Sequence, residues 1–242
     1  MRRFYHLLIF LLLLSPSSIL SQERLTSISI TGSLSTISEL FHHPNDPDQL
    51  LRSEYYPLNV IIGGGIEIRQ VIPQLRFSVG ASVERLSKSG SFSVNATGFT
   101  GGNVSKTVNV PVSDGYTVLP AELSIYVPLP IGTDDFQVYI GGGGGAYFGN
   151  RHYSYGNIDA NTTDLSAGFG IHILSGFEYR FSTQFSLRTE FKFRDVHFET
   201  TSAFPDQRVD VEGVSITLPQ GSQDARINID GFVTAIQLAY HF

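Results

Sequence analysis

His152-Tyr153-Ser154 sets an imidazole and a hydroxyl two residues apart. Residues i and i+2 of a β-strand share a face, as a general base and the nucleophile it activates must. No acid partner accompanies the pair, and it lies at the edge of a turn-rich stretch. His42-His43 with Asp46 and Asp48 offers imidazole and carboxylate to a metal ion. No ligand spacing stands out there, and Pro44-Asn45-Asp46-Pro47-Asp48 spells a solvated turn more simply. Gly141-Gly142-Gly143-Gly144-Gly145-Ala146 contains Gly-x-Gly-x-x-Ala. A dinucleotide cradle needs a helix next, yet Tyr147 and Phe148 follow. The run therefore reads as a strand whose missing side chains admit bulky neighbours or sharp curvature, and so does Gly63-Gly64-Gly65. Asp206, Asp210, Glu212 and Asp224 read as a solvated surface. The sequence thus assigns no catalytic, cofactor-binding or metal-binding residue, and no cofactor.

The one constellation with mechanical content is a set of charges in phase on strands: Glu67, Arg69, Arg76, Glu84, Glu122, Glu178, Arg180, Arg188, Glu190, Lys192 and Arg194. Phe185, Leu187, Thr189, Phe191 and Phe193 take one face of their segment, and Arg188, Glu190, Lys192 and Arg194 take the other. No helix sorts residues this way. The same alternation predicts eight strands, at roughly 25–37, 56–70, 74–88, 115–129, 135–149, 164–181, 184–200 and 226–242. Each exceeds the ~9–11 residues that cross a bilayer at a tilt.

Composition agrees. In 242 residues there are 24 Gly, 18 Phe and 11 Tyr, a mixture suited to strands and turns. Hydrophobic residues at 41% and charged ones at 16% exclude a disordered chain. A net charge of −6 and a pI near 5.6 give no basic stripe for nucleic acid. With no Cys, disulfide scaffolds, thiol catalysis and Cys-ligated zinc are excluded. Arg2-Arg3, an eight-residue apolar run at 7–14 and the small residues after it predict a signal peptide over residues 1–21, cleaved after Ser21. Residues 22–242 would then be one β-barrel domain.

Connections are expected to alternate: short around 71–73, 130–134 and 182–183, long and polar at 38–55, 89–114, 150–163 and 201–225. An antiparallel barrel sends alternate connections to opposite ends, so one end is tidy and the other bears every loop. The near-balanced charges point to a lumen in which acids and bases satisfy one another. The apolar face then meets lipid, with aromatic girdles of Tyr179, Phe181, Phe185, Tyr240, Phe77 and Phe136 at the short-turn end and Tyr56, Phe148 and Phe198 at the other.

The signal peptide, the eight alternating strands and the terminal Ala239-Tyr240-His241-Phe242 resemble the small outer-membrane β-barrel family of OmpA/OmpX type. The resemblance implies an all-β, eight-stranded antiparallel up-and-down transmembrane barrel in the bacterial outer membrane. It also implies that Tyr240 and Phe242 form the C-terminal signal read by the barrel-assembly machinery. Its partners would be outer-membrane lipid and that machinery, with an external loop partner of unknown kind and no nucleic acid. The function expected is structural or surface-interacting and not enzymatic. The alternatives are a narrow porin-like pore and a lipid A-modifying hydrolase built on His152 and Ser154.

Overall fold

The computed structural model describes residues 25–36, 38–57, 60–102, 104–165 and 167–242. The expected signal peptide lies outside them. The strands are β1 (Thr26–Ser35), β2 (Glu39–Phe41), β3 (Tyr55–Pro57), β4 (Ile61–Ile72), β5 (Phe77–Phe99), β6 (Ser105–Gly132), β7 (Phe136–Tyr155), β8 (Ile158–Asp159), β9 (Asn161–Leu165), β10 (Ala167–Arg180), β11 (Phe185–Asp195), β12 (His197–Ala203), β13 (Arg208–Val211), β14 (Val214–Thr217), β15 (Gln223–Asn228) and β16 (Gly231–His241). A short α-helix, α1 (Gln49–Ser53), is capped by the Asp48 carboxylate, which accepts from the Leu50 N–H at 2.9 Å.

Eight strands close a ring. β5, β4, β1, β16, β11, β10, β7 and β6 pair in that order, always antiparallel, and β6 returns to β5. The first and last barrel strands form the seam, with Ile30 opposite Leu238. A closed ring leaves no edge, so the wall strands bond to one another and not to water, the condition for crossing hydrocarbon.

The pleat sorts the side chains as the alternation predicts. Phe169 is 76% exposed on the outside and Arg194 is 1% exposed on the inside. Along β1, Ser27, Ser29, Ser33 and Ser35 are buried while Ile28, Ile30 and Leu34 face out. The glycine run lies on β7. Gly141 is opposite Leu174, and Gly143 is opposite His172, so the larger side chains of β10 fill the lumen where β7 supplies none. Gly80 and Gly176 serve Tyr126 and Tyr139 likewise, since a Cβ would come within 2.8 and 2.7 Å of those rings.

The short connections, 73–76, 133–135 and 181–184, lie together at one end. The other end departs from expectation. The segment 89–114, predicted as a loop, is a continuation of β5 and β6, which stay paired to Phe99 and Ser105. From Lys88 to Phe99 is roughly 35 Å of strand at about 3.3 Å per residue. The reason is packing: Val94, Ala96, Val108 and Val110 meet Val209, Val214 and Ile216 of the β13–β14 hairpin in an outer core. Likewise the predicted strand 184–200 divides into β11 and β12 at the buried Val196, and 226–242 divides into β15 and β16. Strands β3, β2, β15, β12 and β9 form a second sheet of five. Its Leu40, Phe198 and Ile227 pack onto the inward Ile61, Leu86 and Tyr116 of the barrel, an apolar cap over the lumen mouth.

That cap corrects the predicted outer girdle. Phe198 is buried and Tyr56 is half-buried against the cap. The lipid-facing aromatics at this end are Phe148, Phe169, Phe193 and Phe232, the last two edge to face at 5.6 Å. At the short-turn end Phe181, Phe185, Tyr240 and Phe242 form a continuous aromatic row with ring centroids 5.3–6.3 Å apart.

Candidate functional site

Arg188, Glu190, Lys192 and Arg194 climb the inner face of β11, and each meets partners from other walls. Nearest the short turns, the Arg188 Nε donates to Glu178 at 3.0 Å and its Nη2 to Ser27 at 2.9 Å. The His241 Nε2 lies 3.1 Å from the same carboxylate. One tier up, Arg69 donates to Glu67 and to Glu190, both at 2.7 Å. Its guanidinium sits 3.5 Å from the Tyr126 ring centroid, and the Tyr139 hydroxyl donates to Glu190 at 2.8 Å. The Gln237 amide closes this tier by donating to Glu67 at 3.2 Å. In the upper tier Glu122 accepts from Lys192 at 2.6 Å and from the Tyr147 hydroxyl at 2.5 Å, and lies 3.0 Å from the Arg194 Nε. Arg194 also donates to Glu84 at 2.9 Å, and Ser33 donates to Glu84 as well.

Nine of the eleven predicted charges therefore enter the lumen, and two do not. Arg76 stands at the turn after β4, exposed, with φ +53°. Arg180 sits half-exposed at the rim, 3.6 Å from Glu178. Both have the inward parity, but Arg76 lies beyond the end of β4 and Arg180 is the last residue of β10, at the rim of the lumen. Among the described residues the lumen proper holds five carboxylates and four cations, with His172 and His241 beside them.

Little space remains. A void bordered by Thr31, Ser33, Glu67, Glu84, Lys192 and Arg194 measures about 20 Å³, room for about one water. Above lies the apolar cap, so the axis is filled twice, by charge and then by hydrocarbon.

The cap carries a further buried pair on its solvent side. Arg151 donates to both Asp114 oxygens, at 2.9 and 2.5 Å, and stacks 4.4 Å over the Tyr153 ring. The His42 Nδ1 lies 3.2 Å from an Arg151 nitrogen. An open cavity of about 460 Å³ begins here, lined by His42, His43, Asp46, Tyr153, Ser222 and Asp224. Burial, and then the Arg151 charge, lowers the His42 pKa below its usual 6.5. The unfolded imidazole takes up its proton first as pH falls below about 6.5, so the external layer loses stability until the folded imidazole also protonates. Limited proteolysis of this layer should accelerate more between pH 7.5 and 5 in the wild type than in His42→Gln. Equal acceleration would show that His42 is not responsible.

The other sequence candidates make polar contacts of their own. The His152 Nε2 lies 3.0 Å from the Thr117 hydroxyl, and His152 forms no ion pair with a described carboxylate. Asp46 accepts from the Asp48 N–H, Asp210 from Gly213, and Asp224 from Thr201. Among the described residues no three His, Cys, Asp or Glu side chains gather to hold a metal ion. Sequence reasoning overlooked Arg85 and the Arg151–Asp114 pair. The signal for Arg85 was a cation at the parity of Val79, Ala81 and Val83.

A closed ring of eight strands, an apolar wall between aromatic rows, tight turns at one end and folded extensions at the other define an integral outer-membrane β-barrel. Barrels of this architecture span the bacterial outer membrane. No family model and no curated protein matches the sequence. Among solved structures it is similar to the outer membrane protein OprG from Pseudomonas aeruginosa, at 13% identity and TM-score 0.47 over 90% of this chain and 96% of that one. It is also similar to Neisserial surface protein A, at 9% and 0.44 over 90% and 97%. A third is Ail of Yersinia pestis, at 12% and 0.41 over 90% and 97%.

Proposed function

We propose that this barrel is a closed, non-catalytic anchor whose role is to hold its folded external layer at the cell surface as an interaction platform. The observation that carries this reading is the doubly filled axis. Glu122, Lys192, Arg194 and Glu84 interlock across the lumen, and Leu40, Phe198 and Ile227 cover them. Eight strands leave only enough interior for side chains, and here those side chains are tied to one another. The platform is built to persist, with the outer core on the β5–β6 extension and the five-stranded sheet each burying apolar residues of their own. Purified protein in planar bilayers should give no stable openings on the nanosiemens scale. Persistent unitary steps of that size would overturn the closed-anchor reading.

A further inference from the structure

Near its external boundary the lipid-facing wall carries a cation on an otherwise apolar row. Outward positions on β5 run Phe77, Val79, Ala81, Val83 and then Arg85. Eight residue steps at about 3.3 Å each, tilted roughly 40°, place Arg85 about 20 Å above Phe77. An outer-membrane apolar band is ~25 Å tall, so Arg85 sits at its external boundary. It is exposed and forms no ion pair among the described residues. At this boundary a lipid-facing cation carries little penalty of its own, and it stands at the level where an anion supplied from outside the chain can meet it.

The surroundings specify the anion. Arg85 borders an open cavity of about 360 Å³ on the outer wall, shared with Thr117, Leu119, Phe148, Asn150 and His152. The ladder sorts that lining by height. Leu119 is opposite Phe148, and one step outward Thr117 is opposite Asn150, with His152 bonded to the Thr117 hydroxyl at 3.0 Å. The membrane side of the cavity is apolar and its aqueous side is a row of hydrogen-bonding groups. An amphiphile lying in the leaflet meets the same order. Arg85 offers a fork of N–H donors matched to a phosphate, Asn150 adds an amide, and Thr117 and His152 add two more polar groups. Leu119 and Phe148 receive the first methylenes of the chains.

We infer that the outer wall holds a binding site for the phosphate of an outer-leaflet lipid, with Arg85 as its cation and Leu119 and Phe148 as the chain contact. The site is separate from the lumen and does not depend on whether the barrel conducts.

Native mass spectrometry of the full-length protein in detergent tests this with dioleoyl phosphatidic acid and dioleoylglycerol, which share chains and differ in the phosphate, and with inorganic phosphate. Phosphatidic acid should be retained at least tenfold more than dioleoylglycerol. Arg85→Gln should remove that preference, and His152→Leu, which leaves the cation in place, should reduce it several-fold. Both side chains face outward, and an unchanged heat-modifiable gel shift would establish that the variants fold. Retention of phosphatidic acid by Arg85→Gln at the wild-type level would overturn the site. Displacement by millimolar inorganic phosphate would show a free-anion site and overturn the lipid assignment.

Discussion

Glu122→Ala should destabilise the barrel by about 3–5 kcal/mol, the range for stripping one partner from a buried ion pair. The carboxylate is 3% exposed and touches Lys192, Arg194 and the Tyr147 hydroxyl at 2.5–3.0 Å. Its attraction to two cations roughly offsets the cost of desolvating all three groups, so the intact cluster need contribute little net stability. Removing it is different, because Lys192 and half of the Arg194 environment then face a largely buried lumen with one fewer anion. Glu84 still holds Arg194 at 2.9 Å, which limits the damage on that side and leaves Lys192 as the stranded charge. Glu122→Ala combined with Lys192→Met should therefore recover more than half of the loss. Urea unfolding in lipid vesicles followed by circular dichroism reads both, since the chain has no Trp to report. A single variant within 1 kcal/mol of wild type would mean that water reaches the upper tier and the lumen is not sealed.

The barrel was legible because period-two patterning survives over long stretches when one face is lipid and the other is charge. Strand β11 shows this residue by residue: every predicted outward Phe and every predicted inward charge from 188 to 194 stands where parity puts it. Parity fails where strands end, which is how Arg76 and Arg180 were drawn into a lumen they do not enter. The external layer was less legible for a related reason. Strands β2 and β3 have three residues each and β13 and β14 four, too few alternations to rise above turn-rich sequence. A signal was present even so. Val108, Val110 and Val112 recur at every second position, and so do Val214, Ile216 and Leu218. The buried lid, the Arg151–Asp114 pair and the cavity around Arg85 needed the register, because each joins residues from strands far apart in the chain.

Phe198→Ala should loosen the external layer while leaving the membrane ring intact. The Phe198 ring meets Tyr116 edge to face at 6.3 Å, and it occupies the space above Gly149, where any Cβ would overlap it. Truncating a buried Phe costs about 3–5 kcal/mol, of which part reflects the cavity left behind. Here that cost falls on one side of a boundary. The ring strands are held by a closed ladder in hydrocarbon, where an opened hydrogen bond finds no water to replace it. Strands β12 and β15 of the outer sheet can reach water when they open, so their local unfolding is the easier route. Amide hydrogen exchange in detergent separates the two. Protection of 223–228 in β15 should fall by roughly 100-fold or more, as about 3 kcal/mol requires, while that of 232–240 in β16 stays near the wild-type level. Conductance should remain absent, because Glu122, Lys192 and Arg194 lie below the lost ring and still span the axis. Equal loss of protection in β15 and β16 would mean that the cap and the ring unfold as one body, and the external layer would not then be a platform with a stability of its own.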